Sequence, residues 1–174
     1  RPPPSDATRL RLDDHSCELI SGLTEVYVTC HFADKEKAAA YREPIHTMLD
    51  RILELGVNED GLMYDTIDPV AGEVVKQALT DNWGYNYNAF YAVYQVDGEE
   101  KYRDAVLKAL RGLREPKYLV YPWEGWGSDG IDASVEGASN LYNREPVEGV
   151  DLWLDTNILR MLSVQQEDGV IDGW

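Results

Sequence analysis

Six stretches of this sequence have the apolar spacing of packed helices, and short and long connections alternate between them. Apolar residues recur at three- and four-residue steps, which is the period of one helix face. Two helices joined by a short turn lie antiparallel. The pattern therefore predicts three helical hairpins whose long connections share one end. The predicted helices span 14–32, 44–55, 81–96, 99–113, a stretch from Asp129 or Asp132 to about 143, and 149–166.

Two features set the boundaries of the second helix and of the long connections. Residues 35–40 have high helix propensity, but Pro44 interrupts the hydrogen-bond ladder and is tolerated best as a first helical residue. We therefore expect the second helix to begin at Pro44. Turn-forming residues dominate 56–80, with a short extended piece expected at 62–67. A second, aromatic loop is predicted at 114–128.

A degenerate repeat supports this arrangement. Residues 34–37 and 97–102 occupy equivalent short turns, and Glu59–Leu62 matches Glu167–Val170 after equivalent helices. Repeated helical hairpins are typical of a solenoid or a closed toroid. Alternation of the connections also predicts that the first, third and fifth helices all begin on the loop-rich face.

The chain resembles the six-hairpin glycosidase-like proteins. The residues that carry the resemblance are Asn82-Trp83-Gly84-Tyr85 through Tyr94, Asp97-Gly98-Glu99-Glu100-Lys101-Tyr102, Ser128-Asp129-Gly130-Ile131-Asp132, and Glu167-Asp168-Gly169-Val170-Ile171-Asp172-Gly173-Trp174. That group has an (α/α)6 toroid of inner and outer helices, and it includes glycoside hydrolases, such as unsaturated glucuronyl hydrolases, and related polysaccharide lyases. The resemblance implies an all-α fold in which three antiparallel hairpins form an incomplete toroid. Residues 1–11 are expected to be a linker or a truncated upstream segment, and 12–174 the helical domain.

Charge restricts the partners. The chain has 32 acidic and 16 basic residues, a formal net charge of −16, and no basic cluster. Nucleic acids and anionic membranes both require a positive surface, so neither is expected as a partner. Neutral or sparsely charged ligands, such as an oligosaccharide or polysaccharide, fit better.

Neither a membrane span nor a disulfide is predicted. No apolar run approaches the roughly 20 residues that cross a bilayer. A signal peptide, if the protein has one, would lie upstream of Arg1, so the compartment stays open. Cys17 and Cys30 fall in one predicted helix, which separates them by roughly 20 Å and prevents a bond between them.

The fifth predicted helix carries the best pair of carboxylates for catalysis. Asp132 and Glu136 are four residues apart and share a helix face, and Asp129 lies one turn earlier. Glycoside hydrolysis needs one carboxyl group that protonates the leaving oxygen and another that activates water or attacks carbon. The alternative is structural: either aspartate caps the helix, and Glu136 is solvated or hydrogen-bonded in the interior.

The first helix begins with a second group of candidate catalytic residues, Asp14 and His15. His15 is a candidate base for a lyase-type β-elimination, or else it pairs with Asp14 at the helix start. His31 and His46 are expected to be structural. Because the histidines are scattered and no Cys-His cluster occurs, no metal is predicted, and no cofactor either.

Candidate substrate-binding residues lie at the start of the third helix and in the second long loop. Aromatic rings can stack on the apolar faces of sugars, and an N-cap carboxylate such as Asp81 can also bind hydroxyl groups. The alternative is that the aromatic residues belong to the core or cap it. The candidates are Asp81, Trp83, Tyr85, Tyr121, Trp123 and Trp126.

The sequence therefore predicts a fragment of a carbohydrate-active enzyme, a glycoside hydrolase acting on an oligosaccharide or polysaccharide by carboxylate acid–base chemistry. A polysaccharide lyase is the alternative within enzymes. A non-catalytic helical scaffold that binds glycan or protein is the alternative outside them.

Overall fold

The fold is mostly helical, with one small antiparallel sheet. The computed structural model describes residues 8–13, 16–119 and 127–171. In these ranges the helices are α1 (Ser16–Ala33), α2 (Lys35–Leu55), α3 (Trp83–Asp97), α4 (Glu100–Gly112), α5 (Pro116–Leu119), α6 (Gly127–Tyr142) and α7 (Val150–Ser163). The strands are β1 (Leu10–Arg11), β2 (Tyr64–Asp68) and β3 (Glu73–Leu79).

Three helical hairpins form the body of the molecule. They are α1–α2, α3–α4 and α6–α7, and the predicted pairing of helices is present in each. Helices α1, α3 and α6 pack in a row with α3 in the middle. Helices α2 and α7 lie against α1 and α6, and α4 packs on both α3 and α6. For reference, α1, α3 and α6 are called the inner row, and α2, α4 and α7 the outer helices.

The prediction of an entirely helical chain is wrong for two segments. Strand order is β1-β2-β3, all antiparallel, with Leu10 opposite Ile67 and Asp68 opposite Glu73. The Asp68 side chain accepts hydrogen bonds from the N–H groups of Val70 and Ala71 and closes the β2–β3 turn. Turn residues obscured this hairpin, of which only the extended piece at 62–67 was predicted. The sheet also includes residues 10–11 of the predicted linker.

Helix α2 is longer than predicted because Pro44 lies inside it. The helix begins after Asp34, whose side chain accepts from the Lys37 N–H, and it runs without interruption to Leu55. Residues on both sides of the proline are buried, namely Ala38 before it and Ile45 after it. Burial on both sides offsets the backbone hydrogen bond that proline cannot make.

The inner helix α1 buries only part of its predicted apolar stripe. Ile20 and Tyr27 are fully buried, whereas Leu19, Leu23 and Val26 are between 43% and 54% exposed. The difference arises because α1 packs against α2 and α3 only on some of its faces. Beside α6, at the other end of the helix row, α7 likewise exposes three leucines, Leu152, Leu159 and Leu162. Both edges of the row therefore present apolar side chains.

The short-turn end is tied together by Asp97, the last residue of α3. Its carboxylate accepts from the Tyr27 hydroxyl at 2.8 Å, and it lies 2.6 Å from His46 Nε2 and 3.1 Å from His31 Nε2. These partners lie on α1 and α2, so Asp97 links the first two hairpins. Both histidines thus have structural contacts.

The two cysteines are free thiols, as predicted. None of the described helices combines the length and the apolar composition that a membrane crossing requires.

The predicted repeat is confirmed at the ends of α2 and α7. Each helix leads into a tight turn closed by an isolated bridge, Val57 with Met63 in one and Gln165 with Ile171 in the other. Gly61 and Gly169 occupy the same place in these turns, and both have φ near +89°. Their surroundings differ. A Cβ on Gly61 would lie 2.9 Å from the backbone nitrogen of Ala109 in α4, whereas no described residue lies within 4 Å of one on Gly169.

Candidate functional site

A cleft of about 1290 Å³ runs along the inner helix row. It is lined near the start of α1 by Glu18, around the start of α3 by Asp81 and Tyr85, and in α6 by Asp132 and Glu136. The cleft thus brings side chains from three separate parts of the sequence onto one concave surface.

The two candidate catalytic carboxylates of α6 both line the cleft and are exposed. Tyr85 of α3 donates its hydroxyl hydrogen to Glu136 Oε2 at 2.7 Å. The pKa of Tyr85 is raised well above its usual range, mainly by burial. The hydrogen bond to Glu136 and the negative charges of Glu136 and Asp132 raise it further. The phenol therefore remains a hydrogen-bond donor at neutral pH.

The described lining of the cleft carries a negative charge. Six carboxylates and two guanidinium groups occur among its described lining residues. Arg11 lies 3.6 Å from Asp13, and Arg144 donates to the side-chain oxygen of Asn88. Because acidic groups outnumber basic ones, a polyanionic ligand is repelled, whereas a neutral or cationic ligand is not. The carboxylates are Asp13, Glu18, Glu25, Asp81, Asp132 and Glu136.

Trp83 lies in the core and not at the rim of the cleft. Its side chain is 0% exposed, and its Nε1 donates to Ser134 Oγ of α6 at 2.6 Å. Neither face of the indole is available to a sugar, so we withdraw the substrate contact assigned to Trp83. The alternative interpretation, an aromatic residue in the core, describes its position.

Asp81 lies at the cleft, and Asn82 occupies the N-cap position of α3. The helix begins at Trp83 with Asn82 as its N-cap, and the Asn82 N–H donates to Thr80 Oγ1 at 3.0 Å. The N-cap position predicted at Asp81 is thus one residue later, at Asn82. Thr80, two residues before Asn82, organises the turn.

Several candidate residues lie outside the described part of the chain. Among them are the candidate base His15 with its neighbour Asp14, and three loop aromatics. The backbone of Asp129 belongs to α6, but its side chain is likewise outside the description. The loop aromatics are Tyr121, Trp123 and Trp126.

A buried asparagine that was not predicted holds the segment before α1 against α3. Asn86 is 0% exposed, and its Nδ2 donates to the carbonyl oxygen of Leu12 at 2.7 Å. Thr80 Oγ1 reinforces the contact by donating to Asp13 Oδ1 at 3.1 Å. Together these bonds place Asp13 at the cleft. An asparagine between tyrosines gave no signal of this role in the sequence.

Among the described residues, no group of three or more histidine, cysteine or acidic side chains is arranged to hold a metal ion. Comparison with known proteins adds no relative: neither a protein-family model nor a curated protein sequence matches this chain.

Proposed function

We propose that this chain is part of a carbohydrate-active enzyme, a glycoside hydrolase that uses carboxylate acid–base chemistry on an oligosaccharide or polysaccharide. The observation that carries the proposal is the pair Asp132 and Glu136, which lie on one face of α6 and line the same wide cleft. The reaction requires two carboxyl groups that can both reach one glycosidic bond, and side chains four residues apart on a helix are close enough to do so. The cleft volume, about 1290 Å³, exceeds that of typical small-molecule pockets and suits a chain of sugars.

The proposed fold is an incomplete (α/α)6 toroid. Support comes from the inner row α1, α3 and α6 with its outer partners, and from the apolar side chains at both edges of the row. The repeated turns add to this: α4 covers the turn at Gly61, whereas the equivalent turn at Gly169 is uncovered and its neighbour Val170 is 55% exposed. A further hairpin packed beyond α7 would cover Gly169 as α4 covers Gly61.

Charge favours a hydrolase over a lyase. Polysaccharide lyases act on uronates, whose negative charge must be neutralised by an arginine, a lysine or a cation. The described cleft lining has more carboxylates than guanidinium groups, and Arg11 is already close to Asp13. We therefore expect neutral or amino-substituted sugars to bind better than polyuronates.

A panel of neutral, amino-substituted and uronate oligosaccharides tests the proposal. Reducing ends measure hydrolysis, and the ultraviolet absorbance of an unsaturated product measures elimination. We expect new reducing ends without that absorbance. Replacing a general acid or base lowers kcat by roughly 10²–10⁴-fold, so Asp132→Asn and Glu136→Gln should each lose most turnover.

Glu148→Gln is the matched control, because Glu148 is exposed and does not line the cleft. It should keep the rate of the parent protein. Turnover preserved in both cleft variants would remove Asp132 and Glu136 from the mechanism. Glycan binding without any turnover across the panel would favour the non-catalytic scaffold.

A further inference from the structure

Helices α3 and α6 touch through glycine. A Cβ built on Gly84 would lie 2.5 Å from the Cα of Gly137, and one built on Gly137 would lie 2.6 Å from the Cα of Gly84. No side chain fits between the two backbones at this point. The separation of the helices is therefore set by direct backbone contact, which leaves it little freedom to vary.

Polar contacts flank the glycine contact on both sides. Trp83, the residue before Gly84, donates to Ser134 Oγ, and both side chains are fully buried. Tyr85, the residue after Gly84, donates to Glu136 Oε2 at 2.7 Å, and Glu136 precedes Gly137. Three consecutive residues of α3 are thus paired with α6, which fixes its rotation as well as its distance.

We propose that Tyr85 is a positioning residue that holds the Glu136 carboxylate in the cleft, and that the Gly84–Gly137 contact sets the distance between them. A fixed hydroxyl donor holds one oxygen of the carboxylate in place, and this suits a group that must be oriented to accept a proton or attack carbon. Glu136 then takes the part of base or nucleophile, and Asp132 takes the part of the acid. This division of roles rests on the proposed function.

The contact itself can be tested without a substrate, by alkaline titration of phenolate absorbance. Burial and Glu136 together hold the pKa of Tyr85 above its usual range. In Glu136→Gln, we expect one tyrosine to ionise at lower pH than in the parent protein. Adding Tyr85→Phe to that variant should abolish the lowered ionisation. Gly84→Ala should also lower the pH at which Tyr85 ionises, because the added methyl group pushes α3 and α6 apart and lengthens the hydrogen bond between Tyr85 and Glu136.

Tyr94→Phe is the matched control, since Tyr94 lies on the same helix and does not line the cleft. The shift caused by Glu136→Gln should persist in the Tyr94→Phe background. An unchanged titration in Glu136→Gln overturns the proposal, whether or not Gly84→Ala folds.

Turnover supplies the second measurement. On a glycan that the parent protein cleaves, Tyr85→Phe should lower kcat on the order of 10- to 100-fold with little change in KM, as expected for a misplaced catalytic group. The acidic limb of its pH–rate profile should also move. A parent-like kcat and pH profile in Tyr85→Phe, beside an inactive Glu136→Gln, overturns the positioning role. If the parent protein cleaves no glycan, the proposed function fails, and the titration alone decides whether Tyr85 holds Glu136.

Discussion

At the scale of single residues, Asp97 is a buried carboxylate that connects two hairpins. Its side chain is only 3% exposed and meets the Tyr27 hydroxyl and two histidine nitrogens. Tyr102 extends the cluster, because its hydroxyl lies 3.0 Å from His46 Nδ1 and also donates to Asp50. A buried carboxylate with several donors is costly to remove, since each donor loses its partner.

We predict that Asp97→Ala lowers the free energy of unfolding by about 3 kcal/mol, because it leaves buried donors of α1 and α2 without an acceptor. Urea unfolding at neutral pH measures the loss. Asp104→Ala, at an exposed position of α4, is the control and should change stability by less than about 0.5 kcal/mol. Equal stabilities of the two variants would mean that Asp97 does not hold the hairpins together.

At the scale of elements, glycine in a helix has opposite effects in α1 and α3. Within the described part of the chain, no atom lies within 4 Å of a Cβ added to Gly22 of α1. Gly84 of α3 has the backbone of Gly137 in that place. Helix propensity favours alanine over glycine equally at both positions, so any difference between the two substitutions comes from packing.

We predict that Gly22→Ala raises the free energy of unfolding by roughly 0.5–1 kcal/mol through helix propensity. Gly84→Ala should lower it by about 2 kcal/mol, because the added methyl group forces backbone shifts. Thermal unfolding followed by circular dichroism compares the two with the parent protein. The same sign of change in both variants would contradict the close approach of α3 and α6.

Six of the described helices were predictable from apolar period, although α2 begins before its predicted start. The short helix α5 lies in the predicted loop 114–128, and neither it nor the sheet nor the helix crossings were predicted. Strand β3 is mostly exposed, so it shows little of the apolar alternation by which strands are recognised. Pro44 misled the prediction because tertiary packing can override local propensity. The site was predicted in part. Spacing placed Asp132 and Glu136 on one face, whereas the burial of Trp83 depends on α6, which is distant in sequence.

At the scale of the whole molecule, the two edges of the helix row resemble an interior more than a surface. On α1 the exposed apolar residues are Leu19, Leu23 and Val26, and on α7 they include Leu152 and Leu159. Contiguous apolar patches of this kind mark association sites. The formal net charge of −16 opposes association at low salt but is screened at higher ionic strength.

We predict that this chain self-associates as protein concentration and salt rise, and that Leu159→Lys reduces the association. Leu159 is 65% exposed, so the substitution should leave the free energy of unfolding within about 0.5 kcal/mol. Light scattering coupled to size-exclusion chromatography measures the mass. Val70→Lys is the control, because Val70 is 76% exposed in the β2–β3 turn and away from both edges. If both variants behave alike, the edges are not the surfaces that associate.

The two repeated turns differ in which substitutions they can accept, although their backbones match. Asparagine is the residue besides glycine that most readily adopts a positive φ. At position 169 that property alone makes asparagine acceptable, because none of the described residues comes within 4 Å of an added Cβ. At position 61 it is not, because any side chain meets α4. The two turns therefore share a backbone conformation but differ in the substitutions that they tolerate. We expect sequence changes to accumulate more readily at position 169 than at position 61.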